Sequence, residues 1–350
     1  MLIRDVNTII ARYVCRATDM LMINMSCIDW RALSGNPHMR AMALLRAHLN
    51  RIDWSYLSVN THTDAIALLH NNQDRIDWRL LSANPHAGAV ALLGANLDRI
   101  DWWCFNANKH PNAVALLCAN PDRIDWWWFS ANAHPDAVAL LCENQHKINW
   151  MRLGQNNHPD AVALLRANPD RIYWQWFSSN EHPDAVALMR ENPHKIDWVR
   201  LSGNAHPDAI ALLRVHPERI NWLQLNGNEH SDAIAILRAH PERIECTMLS
   251  ANTHPDAIAL LRENPDKINW SWLSQNTHPD AITLLRANPD KIDWQRLNRN
   301  THPDAIALLR AHSDQIFWRE LSSNPALFTS DPVCYRANMD RMTKILTQMQ

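Results

Sequence analysis

Twelve histidines recur every 24 residues, from His38 through His62 and His86 to His302, most of them followed two positions later by an aspartate. Histidine beside carboxylate can hold a metal, exchange protons in catalysis or sense pH. The spacing decides among these. Equivalent side chains of stacked helical repeats stand ~8–10 Å apart, whereas zinc holds each nitrogen at ~2.1 Å. Neighbouring histidines cannot share an ion, so neither a metal nor another cofactor is expected. Acid/base chemistry would need a partner that breaks the repeat. No nonrepeating nucleophile, acid pair or phosphate-binding loop occurs, so no catalytic residue is assigned and the chain is expected not to be an enzyme. The histidines are read as helix-capping or loop-packing residues. A pH-sensitive surface is the alternative, because protonating all twelve would carry the formal charge from −2 to roughly +10.

A second candidate set is aromatic. Twelve tryptophans obey the period, at positions 30, 54, 78 and onward to 318, with Cys246 as the one substitute. Five others do not: Trp103, Trp127, Trp128, Trp176 and Trp272. They fall at the two variable positions that follow the periodic Trp. The same central repeats exchange Leu for Phe at 105, 129 and 177, and the usual Arg for Gly94, Cys118 and Cys142. Apolar bulk thus replaces charge in one zone. Aromatic anchors amid uncharged surface suit the centre of a protein interface, and a locally thicker core is the competing reading. The expectation is that these rings align along one ridge and form the partner-binding surface.

A third set is amide. Asn36, Asn60, Asn84, Asn108, Asn132, Asn156, Asn180, Asn204, Asn228, Asn252, Asn276, Asn300 and Asn324 form an unbroken ladder. A side-chain amide at every loop is expected to satisfy backbone groups of the next repeat, a structural task.

The elements that position these residues follow from the stretch Asn264 to Ala287, numbered here as positions 1 to 24 of the repeat. The frame runs without insertion or deletion from Asn24 to Asn324, twelve full repeats and a truncated thirteenth. Asn264-Pro265-Asp266 and His278-Pro279-Asp280 each place a capping side chain, a proline at the first helical position and an acid in the first turn. They predict helix A over about Pro265 to Ser274, burying Ile268, Trp270 and Leu273, and helix B over about Pro279 to Ala287. Charged pairs such as Asp280 with Arg286 and Asp266 with Lys267 are read as solvated faces and inter-repeat pairs. Helices of about ten residues are marginal alone, so stacking must stabilise them. The fold class is all-α, an α-solenoid of about thirteen 24-residue helix-turn-helix repeats, 24–325, extended as a rod or arc of roughly 100 to 130 Å.

Residues 1–23 are read as N-terminal capping helices, with Ala17, Met20, Leu21 and Asn24 in register with Ala281, Leu284, Leu285 and Asn288. A degenerate F-box-like helix is the sharper alternative for that segment. Residues 326–350 are read as a C-terminal capping helix. The formal charge of −2 leaves no electrostatic footprint for nucleic acid or an anionic membrane. Seven cysteines without a C-x-x-C pair suggest reduced thiols in a cytosolic compartment. Neither a signal peptide nor an apolar run long enough to span a bilayer is present.

The run Asn-Pro-Asp-Lys-Ile-Asp-Trp, the following Leu-Ser-x-Asn and the closing Leu321-Ser322-Ser323-Asn324-Pro325-Ala326-Leu327-Phe328 resemble the short tryptophan-bearing repeats that giant DNA viruses encode in large multigene sets. The resemblance implies helical repeats, viral origin and a place in the host cytoplasm or virion; it implies no activity. The family repeat runs 22 residues, and most repeats here insert two, which carry the histidine. Two function classes follow. A non-catalytic scaffold, a viral adaptor or structural component that binds a protein or its own copy, is favoured. A nucleic-acid-binding helical repeat is the alternative, but it would need a basic stripe and small polar readers where Trp127, Met151, Val199 and Leu223 stand.

Overall fold

The structure, a computed structural model, describes residues 25–328; the capping helices expected over 1–23 and 326–350 lie outside the described residues except for residues 326–328, which belong to the 3-10 turn Pro325–Phe328. The described residues contain helices and turns and no strand. In the repeat Asn264 to Ala287, a 3-10 turn spans Pro265–Lys267, helix A spans Trp270–Gln275 and helix B spans Pro279–Ala287. Helix B is as expected from the sequence. Helix A is not, because Asn-Pro-Asp opens only the short turn, after which Ile268 and Asn269 are extended. The real N-cap of helix A is position 6, where the Asn269 side chain accepts the Trp272 N–H. Asn264 instead caps the helix before it, donating Nδ2 to the Leu260 carbonyl at 2.9 Å.

The histidine does cap helix B. His206 Nδ1 accepts the Asp208 N–H at 3.1 Å, and the same bond recurs at His62, His182 and His302. Histidine is an unusual N-cap, and the role requires an unprotonated Nδ1. The helix then buries Ala, Ile or Val, and Leu at positions 18, 19 and 22, as Ala281, Ile282 and Leu285 show.

Neighbouring repeats are tied by two polar rungs. The Ser202 hydroxyl donates to the Trp198 carbonyl of its own helix A and accepts the Asn221 N–H of the next repeat, at 2.7 and 2.9 Å. Asn228 donates Nδ2 to the carbonyls of Ser202 and Asn204 at 3.1 and 3.0 Å, while its Oδ1 accepts the His230 N–H at 2.9 Å. The ladder asparagines therefore reach back to the preceding repeat rather than forward. Ser202, Asn204 and Asn228 are buried, where an unmatched partner costs far more than a matched pair contributes. Two junctions differ: Asn132 makes only the Oδ1 bond to its own His134, and Gly154 has no hydroxyl to offer, while the helix facing Gly154, Trp174–Phe177, begins at Tyr173 without a side-chain cap.

The rungs also join the two ends. Ser322 Oγ accepts the Asp29 N–H at 3.1 Å, and Asn36 Nδ2 donates to the Ser322 carbonyl at 3.0 Å. Helix Trp318–Ser323 packs against helix Trp30–Ser34, the His38 ring stacks on Phe328 at 5.0 Å, and Arg40 donates to the Phe328 carbonyl. The expected rod or arc is thus a closed ring of thirteen repeats. At ~8–10 Å per helix its circumference is roughly 100–130 Å and its diameter about 35–40 Å. Ala32, Gly35, Tyr56, Val59, Arg299, Arg319, Glu320 and Ser323, from four successive repeats, line one cavity of about 410 Å³. Positions 8, 9 and 12 of helix A therefore lie on the inward-curving side.

Positions 3 and 4 pair within a repeat, as Asp98 does with Arg99 at 3.5 Å, whereas Asp280 and Arg286 pair between repeats, Asp280 with Arg262 at 3.2 Å and Arg286 with Asp304 at 3.7 Å. These pairs are well exposed and contribute about 0–1 kcal/mol each.

Two predictions follow from this architecture. Asn180→Ala should destabilise the ring by about 2–3 kcal/mol, because buried carbonyls of Gly154 and Asn156 lose their donor; urea midpoints of wild type and variant measure it. For His38, burial first, then Arg40 and His62, lowers its pKa below the ordinary value of 6.5. Its share of stability is full above that value and is lost as pH falls through the depressed folded pKa. His38→Asn, which keeps a capping acceptor but does not titrate, should lose less stability than wild type between about pH 7 and 5, read as the change in urea midpoint.

Candidate functional site

The periodic tryptophans come first, because they set the surface on which the extra ones stand. Each is half-buried against the core, not enclosed by it. On seven of the twelve sits the basic residue of position 4 in the next repeat, as Arg75 does over Trp54 at 5.2 Å, Arg171 over Trp150 at 5.1 Å and Lys291 over Trp270 at 4.9 Å. Where position 1 is histidine, that ring can pack there too, as His216 does on Trp198 at 5.0 Å. These indoles are occupied, each contact being worth ~0.5–1 kcal/mol.

Of the five nonperiodic tryptophans, Trp103 is 61% exposed, Trp127 40% and Trp272 37%, while Trp128 and Trp176 are half-buried. They do not form one ridge. Trp103 and Trp127 stand at position 8 of adjacent repeats, and Trp128, Trp176 and Trp272 at position 9. Three of them make a cluster: Trp128 meets Trp127 edge-on at 4.6 Å between centroids and Trp103 edge-on at 6.5 Å. Trp176 and Trp272 stand apart from the cluster.

The sequence reading missed what covers the position 9 rings. Arg152 lies 4.3 Å from the Trp127 centroid and 5.2 Å from that of Trp128; Arg200 lies 4.0 Å from Trp176, and Arg296 4.3 Å from Trp272. The signal was available, since each arginine follows a position 9 tryptophan by one period of 24. Arg152 is further held by a 2.7 Å bond to Gln155 Oε1, and its buried Nε has no hydrogen-bond partner.

The phenylalanine exchanges have the opposite fate. Phe105, Phe129 and Phe177 are fully buried, edge-on to their own periodic tryptophans at 5.5–5.9 Å. The central zone is therefore both a thicker core, through Phe, and an exposed aromatic surface, through Trp103 and Trp127. At position 8 the apolar exposure continues through Val199 and Leu223, while Ser271, Gln295, Arg319, Arg31, Ser55 and Arg79 make the other side polar.

Gly94, Cys118 and Cys142 belong to helix B, where they interrupt the row of Arg–Asp pairs. Burial, then the Asp136 and Asp160 carboxylates of the next repeats, push the Cys118 and Cys142 thiols up. Such thiols are poor nucleophiles. The described cysteines are all free, and no group of three or more His, Cys, Asp or Glu among the described residues could hold a metal ion.

No family model, curated protein or solved structure matches the chain. No helix among the described residues is long and apolar enough to cross a membrane.

The two kinds of extra tryptophan should separate by substitution. Trp103→Ser should change stability by less than about 0.5 kcal/mol, whereas Trp128→Ser, which strips ring contacts from Trp103, Trp127 and Arg152, should cost about 1–3 kcal/mol. Thermal or urea unfolding of the two variants compares them directly.

Proposed function

We propose that this chain is a non-catalytic ring scaffold that grips a protein partner on its inward-curving wall, with Trp103 and Trp127 as anchors and Trp128 as their support. The single observation that carries the reading is the pair of exposed indoles on adjacent repeats, braced by Trp128 and Arg152. Rigid aromatic side chains in a partly desolvated setting are what binding hot spots require. A concave wall cannot lie face to face with the same wall of a second ring, which favours a separate chain over self-association. The charge pattern favours protein over nucleic acid: Arg152, Arg200 and Arg296 lie over indoles, and Arg31 and Arg296 stand beside Asp53 and Asp293, both at 3.7 Å.

The resemblance to viral repeat proteins is the reason to seek the partner in infected cells or in virions, and an adaptor or structural role there is part of the proposal. The test is affinity capture of wild type and of the Trp103→Ser, Trp127→Ser double variant from infected cells, with mass spectrometry. A partner retained by wild type and lost by a variant of near-normal melting temperature is the expected result. Equal capture by both, or salt-sensitive retention of RNA or DNA as the main ligand, would count against the reading.

A further inference from the structure

The cavity on the inner wall lies at the closing joint, and its floor is a local loss of bulk. Position 9 is Ala32 there, whereas every other repeat carries a larger side chain at that place, from Cys104 to Trp128. Position 12 is Gly35 in the same repeat and Ser323 in the one before. Packing does not demand the glycine: its φ is negative, and an added methyl would meet nothing closer than Tyr56 Cδ1 at 3.5 Å. The volume left open, about 410 Å³, is within the usual size of a small-ligand pocket, ~300–1,000 Å³. Tyr56 and Val59, both partly exposed, make one side of it apolar.

The other side is charged and unevenly matched. Arg299 and Glu320 pair at 3.4 Å, with the Glu320 side chain only 12% exposed. Arg31, at position 8 of the first repeat, reaches Asp53 of the second at 3.7 Å and covers the Tyr56 ring at 4.7 Å. Arg319 holds the same position 8 one repeat earlier but makes no such pair with Asp29. It lines the cavity and has no hydrogen bond, ion pair or ring contact among the described residues. Two lining arginines against one glutamate leave a single positive charge, carried by an uncommitted guanidinium.

We propose that this cavity is a second binding site, separate from the Trp103 and Trp127 anchors, for a carboxylate carried on an apolar body. The planar fork of Arg319 donates to the two carboxylate oxygens, while the apolar part lies on Tyr56 and Val59 above Ala32 and Gly35. A phosphate dianion suits it less well, because Glu320 stands alongside the one free cation. A free organic acid and the carboxyl-terminal residue of a chain both offer the required chemistry.

Methyl NMR of Val59 on the full chain tests this with 3-phenylpropionate, which should give saturable shifts with a Kd of about 1 mM or below. Its amide, 3-phenylpropionamide, should bind at least about tenfold more weakly, and Arg319→Gln should cost the acid the same factor at an unchanged melting temperature. Ala32→Leu, which copies Leu80 of the third repeat, should fill the cavity and abolish the shifts. N-acetyl-Ala-Ala-Phe with a free carboxyl terminus separates the sources: tighter binding than phenylpropionate assigns the site to a chain end, weaker binding to a free acid. Shifts that do not saturate by about 10 mM, that are equal for acid and amide, or that survive Arg319→Gln overturn the proposal. Should Ala32→Leu unfold the chain, the Arg319→Gln comparison at its exposed position decides. The Trp103→Ser, Trp127→Ser double variant should bind phenylpropionate as wild type does, so that failure of the anchors and failure of this site are told apart.

Discussion

Closure depends on one small polar unit used repeatedly: a position 11 hydroxyl or amide and a position 13 asparagine that together lock each repeat onto the one before. Because these groups are buried, a junction cannot relax to a slightly different angle without stranding donors or acceptors. Thirteen repeats that complete a circle turn by about 28° per joint on average, and the shared rungs hold most joints to the same geometry. The apolar contacts supply the adhesion but tolerate small rotations. The hydrogen bonds do not, and Asp29 meets Ser322 with the geometry of an internal junction. A ring also removes the two exposed ends that an open solenoid must cover.

Cations over indoles give a second layer of order. Position 4 side chains cover periodic tryptophans, and position 9 arginines cover the extra ones at positions 128, 176 and 272. Much of the basic charge is thus committed within the chain, and much of the aromatic surface with it. What escapes this pairing is small, which makes the exposure of Trp103 informative: in a lattice where most indoles have a cover, its outer face has none.

Much of the repeat was legible in the sequence. His-Pro-Asp marks the start of helix B correctly, because proline at the first helical position and an acceptor before it are local causes. Asn-Pro-Asp misled, since the same local cause produces a turn of only three residues when Ile268 must enter the core from an extended backbone. Closure was not legible, because a few degrees per joint separate a ring from an open arc, and those degrees arise from packing among repeats. The aromatic zone was half legible: the residue types pointed to both a thicker core and a surface, and burial assigns Phe129 to one and Trp127 to the other.

The missing caps have a mechanical consequence. Among the described repeats, only the A helices that start after Tyr173 and Phe317 lack a side-chain cap. They belong to repeats seven and thirteen, nearly opposite each other on the circle. The first lies across the joint weakened by Gly154, and the second lies beside the closing joint between Asp29 and Ser322. A bracelet has the same arrangement, with a hinge facing its clasp. The Gly154 joint lacks the position 11 side-chain rung that every other joint has, so a bulky guest entering the bore would meet less resistance there, from two half-rings swinging about that point.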